Sequence, residues 1–152
     1  MKPRIANLER PELKQRGIYI LSLLLPETKK INIGKLGLFE FITGYYYYIG
    51  SAWNKGGIAS RLSHHIKISE KPHWHIDYLR RFSSLNKIYF VLGPRELEHS
   101  FADSLKNNLI VPVKYFGSSD CNCTSHLFYS KKEVNLKKII TNLSQIIIKE
   151  IK

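Results

Sequence analysis

Four consecutive tyrosines, Tyr45-Tyr46-Tyr47-Tyr48, lead straight into Ile49-Gly50. Aromatic side chains favour extended backbone, and successive residues of a strand face opposite ways. The run therefore predicts a strand with Tyr46 and Tyr48 on one face and Tyr45 and Tyr47 on the other. A second β-rich segment, Gly17 to Leu25, carries Ile18, Tyr19, Ile20, Leu21 and Leu23. Pro26-Glu27-Thr28-Lys29-Lys30 follows as a turn, Ile31, Ile33 and Gly34 open another strand, and Phe39 and Phe41 alternate between Gly37 and Gly44. Asn86 to Leu92 is a further strand, on Ile88, Tyr89, Phe90 and Val91.

Between these lie helical patterns. Gly56-Gly57 starts a helix to Lys67 with the apolar stripe Ile58, Leu62 and Ile66. Pro72 opens a short helix through Arg81, and Pro94 one that runs to Asn108. Ser130 and Glu133 fit a capping box for a long helix over 131–151, burying Leu136, Ile139, Ile140, Leu143, Ile147 and Ile151. The expected fold is α/β (α+β): a small, mainly antiparallel sheet flanked by helices. The 152 residues suit one domain with its own core. Residues 1–16 (Lys2, Arg4, Arg10, Lys14, Arg16) read as a loosely held basic arm, and 17–152 as the single domain.

The charge narrows the partner. Against 24 Lys and Arg stand 12 Asp and Glu, a formal net charge of +12. So large an imbalance costs self-repulsion, which favours a polyanion partner over a basic surface that serves solubility alone. There is no apolar run of membrane length and no secretory signal, and Cys121 and Cys123 sit too close together to staple distant segments. A reducing, cytoplasmic setting without membrane contact is expected.

Three polar residues occupy positions that face packing. Arg61 and His65, four apart on one helix, flank the Ile58/Leu62 stripe and point toward the sheet edge. Glu98 falls inside the apolar arc of Leu97, Phe101, Leu105 and Leu109, with Glu96, His99 and Asp103 outside it. A carboxylate there needs a cation, a metal or a raised pKa. An internal ion pair between Glu98 and Arg61 is the structural alternative to a metal site. Tyr19 and Tyr48 each lie beside a glycine, and both phenols reach one patch if their strands pair.

Taken in order, Gly17-Ile18-Tyr19, Tyr48-Ile49-Gly50-Ser51-Ala52, Arg61-x-x-x-His65 and Glu98 resemble the GIY-YIG nuclease superfamily. They are similar to the catalytic modules of phage homing endonucleases and of the excision-repair 3′-incision nuclease. Phe41-Ile42-Thr43-Gly44, His73-Trp74-His75-Ile76-Asp77-Tyr78-Leu79 and the 117–128 segment resemble one branch of that superfamily, a domain of unknown function found largely in archaea. Some members of the branch are fused to a glycosylase resembling endonuclease III, which implies a DNA-repair setting and a repair glycosylase as partner. The gap between Tyr19 and Tyr48 is long for the superfamily and implies an inserted hairpin. Asn107 and Asn108 match the asparagine that many members carry after the metal glutamate by position only.

The resemblance implies a divalent-metal-dependent endonuclease hydrolysing phosphodiester bonds, with DNA favoured over RNA and Mg²⁺ (or Mn²⁺) as cofactor. Glu98 is the implied protein ligand, and oxygen-only binding suits Mg²⁺. Arg61 grips a phosphate oxygen with its planar fork. Tyr48, supported by Tyr19, orients or deprotonates the attacking water, which needs the metal or Lys55 to lower a phenol from its usual pKa of about 10. His65 is the alternative base. Lys55, Lys67, His73 and His75 are candidate contacts to the nucleic-acid backbone. For His73, Trp74, Asp77 and Tyr78 the structural alternative is a His–Asp cap and an aromatic core face.

Asp120, Cys121, Cys123 and His126 invite a zinc reading, which their spacing disfavours because structural zinc draws ligand pairs from separated segments. Ser118, Ser119 and Asp120 then build a turn, and His126 reaches the edge of the active site. A non-catalytic nucleic-acid-binding module on the same fold is the competing function. A third reading is an interaction protein that pairs through its isoleucine-rich last helix.

Overall fold

In the computed structural model the tyrosine run lies in strand β4 (Gly44–Ala52), paired antiparallel along its whole length with β1 (Gly17–Leu25). The structure describes residues 8–118, 122–140 and 149–151. β1 is the central strand of an antiparallel sheet in the order β6-β4-β1-β5-β7, with β5 at Ser84–Val91, β6 at Leu127–Ser130 and β7 at Lys149–Ile151. A separate two-stranded sheet joins β2 (Lys29–Asn32) to β3 (Leu38–Phe41). This is the inserted hairpin expected between the two tyrosine motifs. It buries Ile31, Ile33 and Phe41 in the main core.

Both faces of the sheet are covered, which is why eight of the nine residues of β1 are buried. Helices α1 (Gly57–Ile66) and α2 (His75–Arg80) supply Ile58, Leu62, Ile76 and Leu79 to the core that holds Tyr19, Leu21, Leu23, Tyr46 and Tyr48. On the other face, α3 (Leu97–Asn108) and α4 (Leu136–Ile140) lay Phe101, Leu105, Leu136 and Ile140 on Ile18, Ile20, Tyr47 and Ile49. The expected alternation of the tyrosines thus decides which helix layer each one meets.

Four expectations are corrected. First, the segment up to Gly17 is not loose throughout. Pro11–Lys14 forms a 3-10 turn with Leu13 fully buried, and the carbonyl of Gln15 accepts from the Ile58 N–H (3.0 Å) at the start of α1. Lys2 and Arg4 lie outside the described residues.

Second, the capping box does not form. Ser130 closes strand β6 opposite Tyr45, so it is unavailable as a cap, and Glu133 accepts from Lys87 Nζ (2.8 Å) and Asn86 Nδ2 (3.1 Å). Third, of the helix expected over 131–151 the described residues show Leu136–Ile140 as α4, while Lys149–Ile151 pairs with Phe90–Ile88 as an edge strand. The open edge of β5 offers unpaired backbone groups, and Lys149–Ile151 pairs with them. Leu143 and Ile147 lie outside the described residues. Fourth, Leu127–Ser130, for which the sequence pattern predicts no strand, forms β6, with Leu127, Phe128 and Tyr129 buried.

Candidate active site

The β1–β4 register sets Tyr19 opposite Gly50 and Leu21 opposite Tyr48, so Tyr19 and Tyr48 share a face. A Cβ at position 50 would collide with the Tyr19 ring, so glycine is what allows the phenol to lie across β4. Gly117 plays the same part for Tyr48. Its φ of +69° favours glycine, and a Cβ there would come within 2.9 Å of the Tyr48 ring.

The two phenols open onto a cleft of about 400 Å³ whose wall also carries Arg61, Arg95, Glu98 and His126. Among the described residues Glu98 is the acidic side chain of that wall, against the cations Arg61 and Arg95. The cleft lies at the end of the sheet where β1 begins and β4 ends, between the two helix layers.

His65 sits behind the wall. Its Nε2 is 2.7 Å from the Tyr19 hydroxyl, and its Nδ1 is buried without a hydrogen-bond partner. Arg80 fixes the helix end that carries it. The buried guanidinium donates to the carbonyls of His65 (2.9 Å), Ile66 (3.2 Å) and Ser83 (2.6 Å), a cation on the orphan carbonyls of a helix C-terminus. Burial pushes the His65 pKa down to about 3, with His64 and Arg61 adding to the shift, so the ring is neutral at neutral pH.

The phenols move the other way. Burial raises Tyr19, as do Tyr48 and Glu98, while Arg61 opposes the rise. Burial and Glu98 raise Tyr48, again against Arg61. The expected lowering by Lys55 is therefore not found. Lys55 is exposed and off the cleft wall, and the nearby cation, Arg61, is outweighed by desolvation.

The Arg61–Glu98 ion pair is not among the salt bridges of the described residues. The Arg61 guanidinium carbon lies 4.6 Å from the centre of the Trp74 ring, a cation–π stack. Glu98 Oε1 instead lies 3.4 Å from His126 Nδ1. Burial holds His126 below its usual pKa against the pull of Glu98. His126 thus lines the cleft beside Glu98.

A family model described as "Domain of unknown function DUF123" matches residues 18–149. The chain belongs to the DUF123 family. The match spans the sheet from Ile18 in β1 to Lys149 in β7 and includes every cleft residue named above. No curated protein and no solved structure matches the chain. No helix among the described residues of this DUF123 domain is long and apolar enough to cross a membrane.

The remaining candidates divide. His73 and His75 line the cleft, and His75 Nδ1 accepts from the Gly117 N–H (2.9 Å), which leaves its ring proton on Nε2. Lys67, like Lys55, is exposed and off the wall. Asn107 and Asn108 end α3, about 13 Å or more along the axis from Glu98, and Asn108 donates to the Ser104 carbonyl (2.7 Å). Neither can serve the site. No residue of the β2–β3 hairpin lines the cleft, so the insertion does not cover it.

Asp77 caps α2, but its imidazole partner is His64 (2.9 Å), not His73. It also accepts from the backbone N–H of His73 (2.9 Å) and Trp74 (3.0 Å). Burial raises this carboxyl, and the hydrogen bonds outweigh it to leave the pKa below the usual range.

Two groupings of ligand atoms bear on metal binding. His64, His65 and Asp77 bring one atom each within 4.8 Å of the others. Their hydrogen bonds to one another, to Tyr19 and to the backbone already employ both carboxylate oxygens and one nitrogen of each ring. Glu98 and His126 both line the cleft, and a carboxylate oxygen beside an imidazole nitrogen there is a donor set that fits a divalent ion. Of the zinc candidates, Cys123 Sγ contacts His99 Nδ1 at 2.9 Å, while Ser119, Asp120 and Cys121 lie outside the described residues.

The sequence pattern missed Arg95, the stacking role of Trp74 and the His64–Asp77 bond. Arg95 was findable, since it stands three residues before Glu98 and so one helical turn away.

Proposed function

We propose that this DUF123 protein is a divalent-metal-dependent endonuclease that hydrolyses phosphodiester bonds in DNA. The observation that carries the reading is the convergence of Tyr19, Tyr48, Arg61 and Glu98, from four different elements, on one basic cleft. The resemblance of these residues to the GIY-YIG nucleases supports it, as does the net charge of +12. The same resemblance supports a DNA-repair role beside a glycosylase.

Each side chain then has a task. The Trp74 ring holds the Arg61 guanidinium at the cleft wall, where its planar fork can take two phosphate oxygens at once. The protonated Tyr48 hydroxyl, on the cleft wall, donates to a phosphate oxygen and sets the attack direction. Tyr19, held 2.7 Å from the neutral His65 Nε2, orients the attacking water, which loses its proton to the solvent of the cleft. Glu98 would hold the ion, which when bound supplies stabilisation of the charge that develops on the leaving oxygen.

The test is cleavage of supercoiled and branched DNA with Mg²⁺, Mn²⁺ or EDTA, comparing wild type with Glu98→Gln. Metal-dependent nicking by the wild type is expected, with a loss of about a thousandfold or more in a variant that still folds and binds DNA. Equal cleavage by both proteins rejects the site.

One observation favours a second reading. Both phenols are raised by burial, which suits hydrogen-bond donors on a phosphate better than bases. Salt-sensitive DNA binding without cleavage by either protein supports a non-catalytic binding module.

A further inference from the structure

We infer that His126 is a second protein ligand beside Glu98, so that the cleft selects nitrogen-tolerant ions such as Mn²⁺ over Mg²⁺; this rests on the metal-dependent reading above. The two atoms concerned, Glu98 Oε1 and His126 Nδ1, stand 3.4 Å apart. Ligand atoms sharing one ion at about 2.1 Å sit roughly 3.0 to 3.4 Å from each other, depending on geometry. They arrive from separate elements, the first turn of α3 and the residue before β6, and both line the cleft.

His126 is also held as a ligand should be. Its carbonyl accepts from the Ile49 N–H (2.9 Å) and its N–H donates to the Phe116 carbonyl (2.8 Å). Its backbone is thus locked to β4 at the residue after Tyr48, and the side chain is only 4% exposed. A ligand fixed before the ion arrives loses little freedom on binding. An oxygen–nitrogen pair binds Mn²⁺ better than Mg²⁺, because Mg²⁺ prefers an all-oxygen shell.

The test titrates Mn²⁺ alone and Mg²⁺ alone into the full chain by calorimetry, for wild type, His126→Asn and Glu98→Gln. The asparagine amide can still hydrogen-bond Glu98 but offers no imidazole. Mn²⁺ affinity should fall about tenfold or more in His126→Asn while Mg²⁺ affinity changes about threefold or less. An unchanged Mn²⁺-to-Mg²⁺ ratio would show that His126 is only an ion-pair partner and overturns the inference.

Glu98→Gln should abolish binding of both ions. If it binds like wild type, the placement of the metal at Glu98 fails as well. Pulsed EPR of Mn²⁺ on the wild-type protein avoids any folding defect of the variant. Nitrogen modulation from a bound imidazole is expected, and its absence overturns the inference while leaving the Glu98 site standing.

Discussion

The two faces of the central sheet are built from different materials. Ile18, Ile20 and Ile49 meet Phe101, Leu105, Leu136 and Ile140 in a mostly aliphatic layer that also holds Tyr47 and Tyr89. The opposite face interleaves Tyr19, Tyr46 and Tyr48 with aliphatic residues, and beside it lie buried His65, Asp77 and Arg80. There, polar atoms are taken out of water and then mostly given partners: Tyr19 with His65, Asp77 with His64 and the backbone, Arg80 with three carbonyls. The first layer carries stability with little positional demand. The second gives up hydrocarbon contact for groups held in place, and its end is where the cleft opens.

The sharpest test of this division is Leu105→Ala. The side chain is fully buried, so the loss should reach about 2–5 kcal/mol by urea unfolding. DNA cleavage per folded molecule should stay within about twofold. A loss of activity matching the loss of stability would mean that the faces are not separate. Tyr19→Phe should invert the pattern. It leaves both nitrogens of His65 unpartnered, at about 1–3 kcal/mol, yet cleavage should drop about a hundredfold or more. Retained cleavage would remove Tyr19 from the positioning of the attacking water.

The smallest effect is in pH. The His65 pKa is about 3 when folded and about 6.5 in the unfolded chain, so between these values the unfolded chain holds the extra proton. The stability that His65 contributes is therefore complete above pH 6.5 and is lost as pH falls toward 3, by about 1.4 kcal/mol per pH unit at most. Unfolding free energies from pH 7 to 4.5 should show this slope in the wild type and a shallower one in His65→Gln. Equal slopes would place the acid sensitivity elsewhere.

What could be read from the chain was what is local. The strand β4 and its alternation, the stripe of α1 and the shared face of Tyr19 and Tyr48 follow from spacing and from the glycines beside them. Glu98 was marked because a carboxylate among Leu97, Phe101 and Leu105 is a conflict within one helix. Its partner could not be read the same way. Which residue meets Glu98 depends on where the chain returns after α3, and it returns with His126. The last segment misled for a related reason. A stripe of Leu and Ile fits a helix in isolation, but the unfilled edge of β5 turns Lys149–Ile151 into a strand.

The β2–β3 hairpin leaves and re-enters the sheet at neighbouring points, since Leu25 pairs with Gly44. Residues 26–43 are therefore a closed excursion between two rungs of one ladder. Closing a loop of that length in place of a two-residue turn costs about 2 kcal/mol of chain entropy. Ile31, Ile33 and Phe41, buried against the main core, offset that penalty. In folding, β1 and β4 meet late unless the hairpin zips first and shortens the path between them. The order of assembly is thus written into an element that touches none of the chemistry.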